Sequence, residues 1–162
     1  MSLVVSDTTP LNYLILIGAV DVLPRMFGKI LVPRAVIHEM SHPKAPRAVA
    51  LWAENPPQWV EIRCPIVDLH LELGAGENEA ISLVVELSDA ALLVDDKKAR
   101  LVAEQRGVLA FGTINILDLA DELGLLDFEE SVTRLSETTF HIEKAVLDAA
   151  LQKVRSRNVS GD

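Results

Sequence analysis

Several acidic residues of this 162-residue chain stand where a short apolar run ends. Asp7 follows "LVVS", and Asp95 and Asp96 follow "ALLV". Glu39 lies in a short helical stretch after "ILV", and Glu79 lies in the first turn of a longer helical stretch. The carboxyl ends of parallel strands share one edge of a sheet, where ligands gather. We therefore expect these acids to converge although they are far apart in sequence.

Converging carboxylates repel one another and raise each other's pKa, which is costly unless cations occupy the site. Oxygen-only ligand sets favour Mg²⁺ or Mn²⁺ over zinc. Two such ions can hold a phosphodiester, activate water for in-line attack and stabilise the leaving oxygen. The pattern therefore predicts hydrolysis of a phosphodiester at a cluster of acids.

Each acid also has a simpler explanation. Asp7 and Asp96 could cap the helices that follow them, because aspartate is a preferred N-cap residue. Glu77 and Glu79 could serve only as first-turn partners of the helix dipole, and Glu39 could be solvated surface. Taken singly, each residue favours the simpler explanation, whereas their order and strand-end placement together favour a shared site.

The stretch "HEMSH", residues 38–42, matches the H-E-x-x-H pattern of zinc peptidases. That chemistry needs both histidines one turn apart on a continuing helix, plus a third ligand. Pro43 disfavours helical geometry at His42. A zinc hydrolase is therefore the less favoured alternative, in which His38 and His42 would bind the metal. We assign Glu39 to the magnesium-type cluster and expect both histidines to be exposed.

Apolar runs alternate with helical stretches of about ten residues, which predicts an α/β fold with a parallel sheet. Strand candidates are residues 3–7, 29–33, 58–64, 90–94 and 108–111, and the third alternates like an edge strand. Helices are expected between them, and further helices follow to the C-terminus. We predict a single domain over residues 1–155 and a polar tail over 156–162.

The composition indicates a globular protein with a local site. The formal net charge is −9, which argues against a broad nucleic-acid-binding surface but not against a cation-neutralised cleft. No apolar run reaches the length of a membrane span, and the N-terminus lacks the basic region of a signal peptide. Cys64 is the single cysteine, which fits a reducing cytoplasm. We expect a cytoplasmic protein with no membrane partner.

Five blocks resemble the PIN-domain superfamily in their order along the chain, most closely a VapC-like toxin branch. They are "VSDTTPLNYL", "VPRAVIHEM", "GAGENEAISLV", "LLVDDKKAR" and "VLAFGTINIL". The resemblance covers about residues 3–125. It implies a PIN-like three-layer α/β/α fold with a central parallel sheet of four or five strands.

The resemblance also implies a set of site residues. By matching the family's motif, it implies that the metal-binding acids are Asp7, Glu39, Glu79 and Asp95 or Asp96. It also implies that the hydroxyls of Thr9 and Thr113 support the site. Glu79 replaces the aspartate more usual at the third acidic position, and the Asp95-Asp96 doublet leaves the fourth acid open between the two.

Proteins of this family are typically ribonucleases that depend on Mg²⁺ or Mn²⁺, often homodimers, and frequently inhibited by a cognate antitoxin. The resemblance therefore implies a metal-dependent endoribonuclease acting as the toxin of a toxin-antitoxin pair, with RNA as substrate. The alternative is a catalytically silent PIN-like module that binds RNA or a protein partner.

Overall fold

A computed structural model of the chain describes residues 3–160. Its strands are β1 (Leu3–Ser6), β2 (Ile30–Val32), β3 (Val60–Ile62), β4 (Ala90–Leu93) and β5 (Ala110–Phe111). Its helices are α1 (Thr8–Leu16), α2 (Val22–Phe27), α3 (Arg34–Met40), α4 (Arg47–Glu54), α5 (Ala75–Leu87), α6 (Lys97–Gln105), α7 (Thr113–Glu122), α8 (Phe128–Ser136) and α9 (Lys144–Ser160).

The strands form one parallel sheet in the order β3-β2-β1-β4-β5. Its central strands consist of apolar residues that are buried on both faces, as in Val4 and Val5 of β1 and Leu92 and Leu93 of β4. β3, in contrast, is only partly buried, as expected for an edge strand. The predicted α/β fold with a central parallel sheet flanked by helices is confirmed.

The order of the strands creates a switch point between β1 and β4. From β1 the chain moves outward through β2 to β3, and then returns to the other side of β1 to form β4 and β5. The amide of Asp7 donates to the carbonyl of Leu93 at 2.9 Å, and Ser6 pairs with Leu93. The residues that follow the two strands therefore lie side by side, in the crevice where open α/β sheets bind ligands.

Helix α5 anchors this edge of the sheet. Ile81, Leu83 and Val84 of α5 are buried with Val5 of β1 and Leu31 of β2 in one apolar cluster. Each fully buried aliphatic side chain stabilises the fold by roughly 1.5–3 kcal/mol. The start of α5 is therefore held firmly relative to the strand ends.

The contacts of the chain divide it into two compact units, with the boundary after Thr113. The first unit contains the whole sheet. In the second, Asp118 of α7 accepts hydrogen bonds from Lys153 and Arg157 of α9, each at 2.8 Å. Burial opposes the charge of Asp118, but these two cations hold its pKa below the usual value.

Helix α9 continues through residues 156–160, which the sequence analysis had assigned to a polar tail. The last two residues of that tail lie outside the described residues. The single-domain boundary at residue 155 stays a prediction.

Candidate active site

Asp7 directly follows β1 and lies at the switch point of the sheet. Its side chain is 3% exposed and does not cap α1, although Asp7 stands at the N-cap position. Within the described part of the chain, its Oδ1 atom is buried and accepts no hydrogen bond. Capping therefore does not explain this aspartate.

Glu39 reaches the same region from α3. Its Oε2 accepts a hydrogen bond from the hydroxyl of Thr8 at 2.5 Å, and its Oε1 accepts one from the amide of Gly76 at 2.9 Å. A Cβ atom at Gly76 would lie 2.8 Å from Glu39 Oε2. The glycine therefore leaves room for the carboxylate to approach the start of α5.

Helix α5 contributes Glu77 to this cluster. The charges of Glu77, Glu39 and Asp95 all act on Asp7, and those of Asp96 and Glu39 act on Glu77. Glu79, which we had expected here, accepts a hydrogen bond at 3.2 Å from the amide of Ala35 at the start of α3. Two residues along a helix correspond to a rotation of about 200°, so Glu77 and Glu79 lie on different sides of α5.

Asp95 and Asp96 follow β4 and have different surroundings. Asp95 is half-buried and accepts two hydrogen bonds from Thr113, at 2.8 Å from its amide and 2.6 Å from its hydroxyl. Asp96 is exposed and caps α6, accepting from the amide of Ala99 at 2.9 Å. Thr113 therefore supports Asp95, and capping accounts for one oxygen of Asp96.

Arg100 lies close to Asp95, and a glycine makes room for both. The charge of Arg100 acts on Asp95, while its Nη2 donates to the carbonyl of Val94 at 3.2 Å. A Cβ atom at Gly112 would lie 2.6 Å from both Arg100 Nη2 and Asp95 Oδ1. Any larger residue at position 112 would therefore displace one of these charged groups.

The surroundings of Asp7 favour its protonated form. Burial raises the pKa of Asp7 from 3.8 to about 7, against the opposing effect of the Thr8 amide. The negative charges of Glu77, Glu39 and Asp95 contribute to this rise. Burial likewise raises the pKa of Glu77 and of Asp95, although Thr113 and Arg100 oppose the rise at Asp95.

This donor set fits a hard divalent cation in three respects. The side chains are carboxylates, one buried carboxylate oxygen has no partner, and the mutual repulsion would be relieved by positive charge. Within residues 3–160, however, no group of three or more His, Cys, Asp or Glu side chains is arranged so that it could hold a metal ion. Glu39 and Asp95 are instead held by hydrogen bonds to Thr8, Gly76 and Thr113.

The two histidines of "HEMSH" do not form a zinc site in the described residues. His38 is exposed on α3, and this helix ends at Met40. His42 lies beyond its end, where Nδ1 accepts a hydrogen bond from the Lys44 amide at 3.0 Å. The expectation that Pro43 would remove His42 from the helix agrees with this geometry.

The structure brings Asp7, Glu39, Asp95 and Asp96 to this edge of the sheet. It adds Glu77, which the sequence analysis had treated only as a partner of the helix dipole, and Thr8. The hydroxyl that reaches Glu39 belongs to Thr8, whereas Thr9 is half-buried one residue farther along α1. A signal for Glu77 was available in the sequence, since glutamate at the third position of a helix often bonds back to the N-cap amide. In the structure, the carboxylate of Glu77 accepts a hydrogen bond from the amide of Gly74 at 3.3 Å.

Among the described helices, none combines the length and apolar character needed to cross a membrane. No curated protein shows significant similarity to the chain. A solved structure of a PilT N-terminus domain protein from the hyperthermophilic archaeon Sulfolobus solfataricus P2 is similar at 20% identity with a TM-score of 0.47. The match covers 87% of this chain and 99% of that one.

A family model, DUF3368, described as a PIN domain, matches residues 3–156. This range contains the whole sheet, the acid cluster and most of α9. The match extends over nearly the entire chain, and the fold agrees with it. The chain therefore belongs to the PIN-domain family.

Proposed function

We propose that this protein is a metal-dependent endoribonuclease and the toxin of a toxin-antitoxin pair. PIN domains are generally nucleases. The observation that carries the proposal is the unpartnered, buried Oδ1 of Asp7, surrounded by the charges of three further acids. A single carboxylate in that position would be costly, whereas a carboxylate that helps to bind a cation would not.

The proposed cation-binding set is Asp7, Glu39, Glu77 and Asp95, with Asp96 at its border. Glu77 takes the place of Glu79, because the charge of Glu77 acts on Asp7 while Glu79 contacts the start of α3. Carboxylate oxygens favour Mg²⁺ or Mn²⁺. When bound, such an ion would supply Lewis acidity and neutralise charge that develops on the phosphate.

The residues of the chain have distinct roles in this proposal. Thr113 fixes the orientation of Asp95 through two hydrogen bonds, and Thr8 does so for Glu39. Without a cation, burial favours the protonated form of Asp7, because it raises the pKa of this side chain to about 7. Cation binding would release that proton, so the cation affinity is expected to rise with pH.

The test is cleavage of RNA by the purified chain in Mg²⁺ or Mn²⁺, compared with EDTA and with Asp7→Asn. We expect cleavage only with the metal ion, and a loss of at least about 100-fold in the variant. Loss of a ligand should cost at least as much as the roughly 10- to 100-fold loss caused by removing an outer-shell partner. RNA binding without metal-dependent cleavage would instead identify a catalytically silent module.

The proposed toxin activity requires a second experiment in cells. Induced expression of the wild-type chain in a bacterial host should arrest growth, and expression of Asp7→Asn at the same level should not. Equal growth of the two cultures would contradict the toxin role and leave the nuclease proposal to the cleavage assay. We also propose, from the family resemblance, that the protein forms a homodimer and is inhibited by a cognate antitoxin.

A further inference from the structure

Basic residues are concentrated in one part of this acidic chain. Residues 22–53 contain five of the 15 lysines and arginines but only one of the 24 acids, Glu39. In the described residues, no ion pair holds Arg34, Lys44 or Arg47, and all three side chains are exposed. These three cations lie at the start of α3, at the start of α4 and in the segment between the two helices.

A groove opens in this basic region, between the end of α3 and the outer face of α4. It is open to solvent, with a volume of about 460 Å³. Its polar lining includes Ser41, His42 and Arg47, and Leu51, which is 52% exposed, contributes to its apolar wall. Among the described residues, Glu54 at the end of α4 is the one acid in its lining. The groove therefore offers both cationic and apolar surface.

Helix α3 connects the groove to the acid cluster. Glu39 points toward Thr8 and Gly76, while the exposed His38 lies about 100° around the helix and Arg34 lies one turn before it. The backbone amide of His42, in the groove, donates to the carbonyl of Glu39 at 3.2 Å. The groove lining therefore begins at Ser41 and His42, within one turn of the chain after Glu39.

The hydrogen bond made by His42, which lines the groove, decides which ring nitrogen can donate. Its Nδ1 accepts from the amide of Lys44, so the proton of the neutral imidazole is on Nε2. A phosphate oxygen accepts hydrogen bonds and cannot donate them when ionised. The imidazole and the cations of Lys44 and Arg47 thus present the chemistry that a phosphate backbone requires.

We propose that the groove between α3 and α4 binds the sugar-phosphate backbone of single-stranded RNA next to the scissile phosphate. This inference rests on the proposed nuclease function. Arg47 and His42, which line the groove, and Lys44, whose neighbours Pro43 and Ala45 line it, contact phosphates. The apolar wall at Leu51 packs against the sugars or bases. They are positioning residues, since the chemistry belongs to the acid cluster.

The test measures RNA binding separately from cleavage. In the Asp7→Asn background with Mg²⁺, a fluorescein-labelled RNA of about 12 nucleotides, within the usual range of site sizes, is titrated and followed by anisotropy. The groove variant is Lys44→Ala with Arg47→Ala. Its matched control, Arg106→Ala with Lys144→Ala, removes the same charge at exposed positions on α9 and at the end of α6.

The groove variant should bind at least about 10-fold more weakly at low salt. It should also lower the slope of log K against log salt by about 1.4, since each single-strand phosphate contact contributes roughly 0.7. The control should stay within about 2-fold of its parent. Thermal unfolding of each variant checks that the substitutions leave the fold intact.

The outcomes separate this inference from the nuclease proposal. Cleavage by the wild-type chain with equal binding by the groove and control variants would overturn the groove and keep the nuclease. No cleavage, with binding that depends on Lys44 and Arg47, would overturn the nuclease and support the groove. Absence of RNA binding would overturn the assignment of the groove to RNA. Tighter binding of a glutamate-rich peptide than of RNA would also overturn it, and would identify the partner as an acidic protein segment.

Discussion

Replacing Asp7 by asparagine should stabilise the metal-free protein at neutral and alkaline pH. Asparagine keeps the size of the side chain but removes a charge that is buried among other carboxylates. Its amide can also donate a hydrogen bond to a neighbouring carboxylate. Most substitutions of buried polar residues destabilise a protein, so the expected sign is distinctive.

The magnitude follows from the rise in the pKa of Asp7 from 3.8 to about 7. At about 1.4 kcal/mol for each pH unit, ionising this side chain costs the folded protein roughly 4 kcal/mol. We expect asparagine to recover about 2–4 kcal/mol of that, which corresponds to a rise in Tm of roughly 5–10 °C for a chain of this length.

The pH dependence has a defined sign. The folded protein binds the proton of Asp7 more tightly than the unfolded chain does, so this contribution to stability is complete below pH 3.8. It declines as the pH rises and is lost once the pH passes about 7. The free energy gained by Asp7→Asn should therefore be small near pH 4 and largest above about pH 7.5.

The assay is urea unfolding with EDTA, followed by circular dichroism at several pH values, for the wild type and Asp7→Asn. Added Mg²⁺ or Mn²⁺ should then stabilise the wild type more than the variant. A variant that is no more stable than the wild type at high pH would refute the reasoning. So would a difference in unfolding free energy that stays constant from acid to alkaline pH.

Three further substitutions test how the site is built. Glu77→Gln should lower metal-dependent cleavage by about 10- to 100-fold, because the charge of Glu77 acts on Asp7, whereas Glu79→Gln should change it by less than about 3-fold. Thr113→Val should raise the pKa of Asp95 and cut cleavage by roughly 10-fold, measured as a pH-rate profile moved to higher pH. Gly112→Ala should cost about 1–3 kcal/mol in urea unfolding and also reduce cleavage, because the added Cβ would overlap a charged group at 2.6 Å.

Each of these variants has a control or a contradicting result. Equal losses for the two glutamine variants would contradict the choice of Glu77. Thr133→Val removes an exposed hydroxyl that bonds within α8, and it should leave the pH-rate profile unchanged. Gly74→Ala adds a Cβ whose nearest neighbour would be 3.6 Å away, so comparable unfolding energies for Gly74→Ala and Gly112→Ala would contradict the steric argument.

Strand polarity made part of this site predictable from sequence. Asp7 and Asp95 each follow a short run of buried apolar residues, and parallel pairing of β1 with β4 brings the two strand ends together. The pattern of the strands alone was enough to predict that these two aspartates lie close together. The break after α3 was similarly predictable, because Pro43 limits the backbone of His42.

The rotational orientation of the helices was not predictable in the same way. Glu77 and Glu79 are both acidic and near the start of α5, and only packing decides which side of the helix faces Asp7. Burial of Ile81 and Val84 against the sheet fixes that rotation. The choice between Thr8 and Thr9 depends in the same way on the packing of α1, since the two residues are adjacent in sequence but about 100° apart around the helix.

The proposed function depends most directly on binding of a hard cation by Asp7, Glu39, Glu77 and Asp95. A crystal soaked in Mn²⁺ and measured for anomalous scattering tests this claim. We predict a peak bounded by the carboxylates of Asp7 and Asp95, with Glu77 rather than Glu79 turned toward it. A peak at His38 and His42, or carboxylates that remain apart with no Mn²⁺ between them, would contradict it.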